Sequence, residues 1–120
     1  MDLDHLNLRV RDADACRAFY ERHFGFRLAF EADGGWFLRN DDGFTLALVP
    51  VEHHRDLPDG FHIGFGLPDA GAVAAMHGDL SAAGVPVRGV EDHRPAEQYV
   101  TFRCWDPDGT EIEVYWEITP

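Results

Sequence analysis

Apolar and polar side chains alternate along residues 3–11, which is the period of a strand with one buried face. The apolar positions are Leu6, Leu8 and Val10, and the polar positions between them are His5, Asn7 and Arg9. Asp12 can cap a helix, and the residues after it carry apolar side chains at helical spacing until Gly25. The pattern therefore predicts a strand and a helix, and then three strands near 26–31, 35–40 and 43–50.

The same order of elements recurs after a polar linker at 52–60. Residues 61–67 alternate again, with His62 on the polar side, and Asp69 can cap a second helix that Gly84 ends. Strands are predicted near 86–90, 99–105 and 110–117. An Asp-Gly pair, a common turn signal between strands, marks the turn into the last strand of each half.

The two halves match in register at their first strands and at their last turns. In each half a histidine opens the first strand seven residues before the capping aspartate, and these histidines are His5 and His62. Four residues after the glycine of each Asp-Gly turn lie Ala47 and Glu113. Internal repetition of this kind is itself evidence of architecture.

We therefore expect an α+β fold made of two βαβββ modules in one chain, related by a pseudo-twofold axis. Module one should span 1–51, the linker 52–60 and module two 61–120, together forming one domain of a size usual for 120 residues.

Three potential metal ligands point away from the apolar stripes of their strands: His5, His62 and Glu113. Two imidazoles and one carboxylate form the facial-triad donor set, which leaves coordination positions open for chemistry. A lone histidine on a strand is usually a surface residue, but two at equivalent positions of a repeat favour a metal site. Ala47 stands where a fourth ligand would be, so we expect three protein ligands. Fe²⁺, Mn²⁺, Ni²⁺, Co²⁺ and Zn²⁺ all accept this set.

Strand parity places further polar side chains on the same faces as these ligands. They are candidates for substrate contact: Asn7, Arg9, Thr45, Glu111 and Tyr115.

The amino-acid composition limits the kinds of partner that the protein is expected to bind. The net charge is −12 and the chain has no lysine, so we expect neither nucleic acid nor an anionic membrane as a partner. The sequence has neither an apolar run long enough to cross a bilayer nor a signal-like start, which predicts a cytoplasmic protein. Cys16 and Cys104 are expected to be buried free thiols.

Three motifs, in order, resemble those of the vicinal-oxygen-chelate superfamily, which contains glyoxalases, bleomycin-resistance proteins and extradiol dioxygenases. They are His5–Asp12 with the following aromatic helix, Phe61–Phe65, and Asp106–Tyr115. The resemblance implies that Glu113 is the carboxylate ligand. It also implies a homodimer with metal sites at the interface, where His5 of one chain meets His62 and Glu113 of the other.

The resemblance leaves the reaction open. Glyoxalase I-like members use four ligands, and Ala47 argues against that activity. Fosfomycin thiol transferases need a basic pocket, whereas residues 90–99 are acidic and only arginines such as Arg88, Arg94 and Arg103 are available. Extradiol dioxygenases share the ligand set, and for that chemistry His93 or Tyr99 is the expected proton relay.

Two functions follow as hypotheses. The first is a divalent-metal enzyme, dioxygenase-like or lyase/isomerase-like, that chelates adjacent oxygens of a small organic substrate. The alternative is a metal-free protein that binds a small molecule such as an antibiotic in an aromatic cleft, as bleomycin-resistance members do. The aromatic candidates for such a cleft are Trp36, Trp105, Trp116, Phe44 and Phe61.

Overall fold

A computed structural model describes residues 1–53 and 56–118. Two residues of the predicted linker, at 54 and 55, and the last two residues of the chain lie outside this description. The internal contacts divide the chain into two compact units, Met1–Asp56 and Leu57–Pro120. Within the described ranges, no helix is long and apolar enough to span a membrane.

The first unit contains one helix and one four-stranded sheet. Its elements are β1 (His5–Val10), α1 (Ala13–His23), β2 (Arg27–Ala32), β3 (Gly35–Arg39) and β4 (Thr45–Pro50). The strand order in the sheet is β1-β4-β3-β2. Strand β1 runs parallel to β4, and the other pairs are antiparallel.

The second unit repeats this topology. Its elements are β5 (His62–Gly66), α2 (Ala70–Ala82), β6 (Glu91–Asp92), β7 (Tyr99–Trp105) and β8 (Glu111–Glu117). The strand order is β5-β8-β7-β6, again with one parallel pair, β5 and β8. Two modules of the order βαβββ are therefore present, and the predicted α+β fold is confirmed.

The two parallel strand pairs, β1 with β4 and β5 with β8, have the same register at the positions of the proposed ligands. In the first unit His5 pairs with Thr45, and Ala47 comes two residues later on β4. In the second unit His62 pairs with Glu111, and Glu113 comes two residues later on β8. Ala47 and Glu113 are therefore structurally equivalent, as the sequence spacing predicts.

Both helices begin where the sequence places them. The carboxylate of Asp12 accepts a hydrogen bond from the backbone N–H of Ala15 (3.0 Å), and that of Asp69 accepts one from Ala72 (2.7 Å). Each bond satisfies one of the N–H groups that a helix start leaves without a partner. The helices then pack on one face of each sheet, which leaves the opposite face for the polar side chains of β1 and β5.

The prediction of a strand at 86–90 was wrong. Residues 86–90 form only an isolated bridge, Val87 with Cys104, and the strand at this edge is the two-residue β6. Pro86 has no N–H to donate to a ladder, and glycine at 89 weakens a strand. The segment still follows β7, since the Arg88 N–H donates to the Arg103 carbonyl (2.8 Å).

Both cysteines are buried free thiols, as predicted. Burial raises the pKa of Cys104 to about 12, so its thiol stays protonated and unreactive at neutral pH. The core around them is apolar: Val10, Tyr20, Leu46 and Leu48 in the first unit, and Val73, Leu80, Ile112 and Val114 in the second are almost fully buried.

Gly35, at the start of β3, is the glycine most closely approached by neighbouring backbone. A Cβ there would lie 2.2 Å from the Leu48 carbonyl oxygen, which cannot move without distorting β4. We expect Gly35→Ala to lower the free energy of unfolding by about 1–3 kcal/mol, as overpacking does. Gly78→Ala is the matched control, because Gly78 lies in α2 with open space around it, and alanine there should stabilise by about 0.5–1 kcal/mol. Urea unfolding measures both, and equal effects of the two substitutions would contradict the packing at β3.

Candidate metal centre

Glu113 on β8 is a buried carboxylate with a defined set of partners. Its Oε2 accepts hydrogen bonds from the hydroxyl groups of Tyr99 and Thr101, the latter at 2.7 Å. The Nη2 atom of Arg103 lies 3.7 Å from the same oxygen. These partners all come from β7, the neighbouring strand, and they fix one carboxylate oxygen while the other, Oε1, faces His62.

The environment keeps Glu113 ionised. Burial raises its pKa, but the hydrogen bonds from Tyr99 and Thr101, together with the charge of Arg103, outweigh burial and lower the pKa below its ordinary value. A carboxylate that is charged at neutral pH is the form that binds a cation.

His62 presents one nitrogen toward Glu113. Its Nδ1 lies 2.8 Å from the carbonyl oxygen of Gly60, and since a carbonyl only accepts, the proton resides on Nδ1. In the neutral imidazole the lone pair is then on Nε2, which lies 3.6 Å from Glu113 Oε1. A hydrogen bond from Nδ1 to a carbonyl is the usual way in which a protein orients a metal-binding histidine.

The spacing of these two atoms fits a shared metal ion. At 3.6 Å they are too far apart for a hydrogen bond. Ligand atoms about 2.1 Å from one ion can be separated by up to roughly 4.2 Å, so both atoms can bind the same cation.

His5 carries the same kind of orienting contact in the first unit. Its Nδ1 lies 2.7 Å from the carboxylate of Asp4, which leaves Nε2 for a ligand, and the side chain is exposed. Within the residues that the structure describes, no three His, Cys, Asp or Glu side chains are gathered as a metal-binding group. His62 and Glu113 are the pair that the structure brings together, and the complete triad stays a prediction.

One candidate proton relay, Tyr99, contacts Glu113, and the other, His93, stacks on Tyr99. The rings of His93 and Tyr99 are stacked, with centroids 5.4 Å apart and an interplanar angle of 22°, and His93 Nε2 is 3.5 Å from a Glu91 carboxylate oxygen. Burial and the hydrogen bond to Glu113 raise the pKa of Tyr99. Tyr99 is therefore protonated at neutral pH and donates to Glu113.

A cavity of about 610 Å³ opens beside Glu113 in the second unit. Tyr99, Glu113 and Tyr115 line it, so the substrate-contact candidate Tyr115 faces the same space as Glu113 and Tyr99. The Tyr115 ring lies across β5, where a Cβ at Gly64 or Gly66 would be 3.4–3.5 Å from it. The glycines of β5 thus leave room for this aromatic wall.

The remaining substrate-contact candidates have other partners. Glu111 Oε2 lies 3.4 Å from Arg103 Nη1. In the first unit, Thr45 Oγ1 accepts a hydrogen bond from Arg39 (3.2 Å), and the exposed side chains of Asn7 and Arg9 follow His5 on β1.

Sequence reasoning missed Thr101 and assigned Arg103 no contact with Glu113. The signal was present: Tyr99, Thr101 and Arg103 recur at a period of two, on the strand that precedes the turn into β8. The observed register pairs Arg103 directly with Glu113, which puts all three side chains on the same face of the sheet as Glu113.

The chain belongs to the Glyoxalase/Bleomycin resistance protein/Dioxygenase superfamily, whose family model matches residues 2–114. A curated relative, an uncharacterized protein of Pseudomonas aeruginosa, is 33% identical over 121 residues, covering 92% of this chain and 85% of that protein.

Solved structures agree with this assignment. A possible glyoxalase from Bacillus cereus superposes with a TM-score of 0.81 at 31% identity, covering 95% of this chain and 97% of that one. The fosfomycin resistance protein FosX from Listeria monocytogenes superposes with a TM-score of 0.84 at 18% identity, covering 98% and 94%, and so shares the fold.

The lowered pKa of Glu113 predicts a pH-dependent stability. Its carboxylate favours folding fully above its ordinary pKa of 4.5, and this contribution is lost as the pH falls through the lower pKa of the folded state. In urea unfolding from pH 7 to pH 3, Glu113→Gln should therefore flatten the decline in stability. Glu31→Gln is the reference for this comparison, because it removes one negative charge from an exposed position of a strand. Parallel slopes for wild type and Glu113→Gln would contradict the assignment.

Proposed function

We propose that this protein is a divalent-metal-dependent enzyme that acts on a small organic molecule through two adjacent oxygens. His5, His62 and Glu113 would hold the metal. The observation that carries the proposal is the pair in the second unit: an ionised, buried carboxylate whose Oε1 lies 3.6 Å from a histidine Nε2 that is oriented by its Nδ1 contact. His5 supports it, because the repeat places it at the position equivalent to His62 with a matching contact to Asp4.

A metal bound by this donor set would act as a Lewis acid that polarises the substrate oxygens. Ala47 supplies no ligand at the position equivalent to Glu113, so substrate oxygens can occupy the positions that the protein leaves open. The same residue weighs against a four-ligand glyoxalase site.

The protein's own groups supply orientation and proton transfer. Tyr99 and Thr101 hold Glu113 in one rotamer through hydrogen bonds to Oε2. Tyr99 also lines the 610 Å³ cavity and stacks on His93, which supports the phenol, assisted by the imidazole, as the group that would exchange a proton with a substrate there. These roles fit a dioxygenase-like or a lyase/isomerase-like reaction.

Two solved structures with this fold bear on the substrate and the metal. A mutant of FosX from Listeria monocytogenes has been crystallised with Mn(II) and 1S,2S-dihydroxypropylphosphonic acid, a compound with two adjacent hydroxyl groups. A lactoylglutathione lyase from Agrobacterium tumefaciens shares the fold at 22% identity. Mn²⁺ is therefore the first metal to test here, ahead of Fe²⁺, Ni²⁺, Co²⁺ and Zn²⁺.

The assembly belongs to the same proposal. The ligands are divided between the units, with His5 in one and His62 and Glu113 in the other. We propose a twofold homodimer in which His5 of one chain completes the metal site of the other. Closed twofold dimers are the commonest oligomers.

A metal-free binding protein is the second candidate. The aromatic walls of the cavity, Tyr99 and Tyr115, favour it, since aromatic surfaces hold small molecules without chemistry. Trp36 does not contribute to such a cleft, because its indole N–H donates to Asp14 and its ring lies under Arg17 on the side of α1.

Metal stoichiometry separates the two candidates. Protein treated with a chelator and then titrated with Mn²⁺ should bind one ion per chain, as measured by calorimetry and by elemental analysis after gel filtration. Failure of all five metals to bind would leave the binding protein as the better account.

A further inference from the structure

A second cavity lies in the second unit, where the segment after α2 follows β7. Its volume is about 350 Å³, and its lining includes Arg88, Arg103, Glu91, Tyr99 and Thr101. Tyr99 and Thr101 are the two residues that donate hydrogen bonds to Glu113. The cavity therefore adjoins the proposed metal centre, although nothing proposed above makes use of it.

The backbone N–H and the backbone carbonyl of Arg88 both form hydrogen bonds. Its N–H donates to the carbonyl of Arg103 at 2.8 Å, and its own carbonyl accepts from His77 Nε2 at 2.9 Å. The guanidinium carbon lies 5.3 Å from the centroid of the Trp105 ring. Since Trp105 and Arg103 are two residues apart on β7, the stacked guanidinium lies on the face of the sheet that carries Glu113.

The charges around this cavity leave one cation without a carboxylate. Arg103 is near both Glu111 (3.4 Å) and Glu113 (3.7 Å), and Glu91 is near His93 (3.5 Å). Among the residues described, none forms an ion pair with Arg88. The chain has 22 acidic and 10 basic residues, so an arginine at a cavity wall would be expected to form an ion pair. Arg88 is an exception to this expectation. Its hydrogen-bond donors are therefore available to a ligand.

We propose that Arg88 is a substrate-recognition residue that binds an anionic group of the substrate, a carboxylate or a phosphonate-type oxyanion. This inference rests on the proposed function, because it places the rest of that molecule toward Tyr99 and the metal centre. A guanidinium stacked on an aromatic ring suits the role: the ring restricts its motion, and its planar edge matches two oxygens of an oxyanion.

The test is an anion titration of the full-length protein after chelator treatment, so that no metal contributes. Acetate and methylphosphonate are the probes, followed by NMR through the Arg88 Nε–H and the Trp105 indole N–H. We expect saturable shifts with at least one probe, and the preferred probe identifies the planar or the tetrahedral anion. Arg88→Gln should weaken binding at least 10-fold.

Arg94→Gln is the matched control. It removes the same charge from the same stretch of chain, but Arg94 is paired with Asp92 through bonds of 2.9 and 2.7 Å. It should change the affinity less than 2-fold, and Arg88→Lys should retain part of the binding if Arg88→Gln proves poorly folded by circular dichroism. Absence of saturable binding in the wild type, or equal losses in the Arg88 and Arg94 variants, would overturn the proposal.

A parallel Mn²⁺ titration separates this inference from the proposed function. Arg88→Gln should bind the metal like the wild type. Metal binding without anion binding would refute only the role of Arg88, and anion binding without metal binding would refute only the metal enzyme.

Discussion

His62→Ala is expected to weaken binding of a divalent metal by at least about 100-fold. Loss of a hydrogen-bond partner behind a ligand already costs roughly 10- to 100-fold, and loss of the ligand itself should cost more. The Gly60 carbonyl would lose its partner as well, but that contact is exposed, so the fold should be retained. Calorimetric titration with Mn²⁺ measures the change.

His53→Ala serves as the control for this substitution. His53 is an exposed histidine near the end of the first unit, and its removal should leave the affinity within 2-fold of the wild type. Tight binding by the His62 variant would mean that the metal, if one binds, sits elsewhere.

Mixing two variants that each lack a proposed ligand should restore one of the two metal sites in every heterodimer that forms. In a shared-site dimer, a His5→Ala chain and a Glu113→Ala chain combine into one site with both lesions and one intact site. Each variant alone should bind metal at least about 100-fold more weakly, since each lacks a ligand. Their heterodimer should bind one ion with wild-type affinity.

Subunit exchange must be verified for this experiment, for example by native mass spectrometry of chains that differ in mass. A doubly substituted chain, His5→Ala with Glu113→Ala, mixed with wild type gives the control, because in that heterodimer each site carries one lesion. Absence of recovery after verified exchange would show that the ligands come from one chain, and a monomer by light scattering would exclude the shared site.

The places of the proposed ligands in the fold were predictable because they depend on strand parity and on the repeat. Both are visible as spacings: His5 and His62 open equivalent strands, and Ala47 and Glu113 follow equivalent turns. Local periodicity decides which face a side chain takes, and it does not require knowledge of the neighbouring strand.

The side chains that contact the proposed ligand Glu113 were harder to predict. The contacts of Thr101 and Arg103 with Glu113 depend on the register between β7 and β8, and a shift of one residue would turn those side chains to the opposite face. Arg88 stacks on Trp105 in a segment where Pro86 interrupts the expected edge strand. Because this segment is not a regular strand, the alternation of apolar and polar residues does not predict the contact.

A crystal of the protein grown with Mn²⁺, measured at a wavelength where manganese scatters anomalously, tests the central claim most directly. The account predicts one anomalous peak per chain between His62 Nε2 and Glu113 Oε1, with His5 as the third protein ligand and water at the remaining positions. A map with no peak at that pair, or a peak whose ligands exclude Glu113, would contradict it.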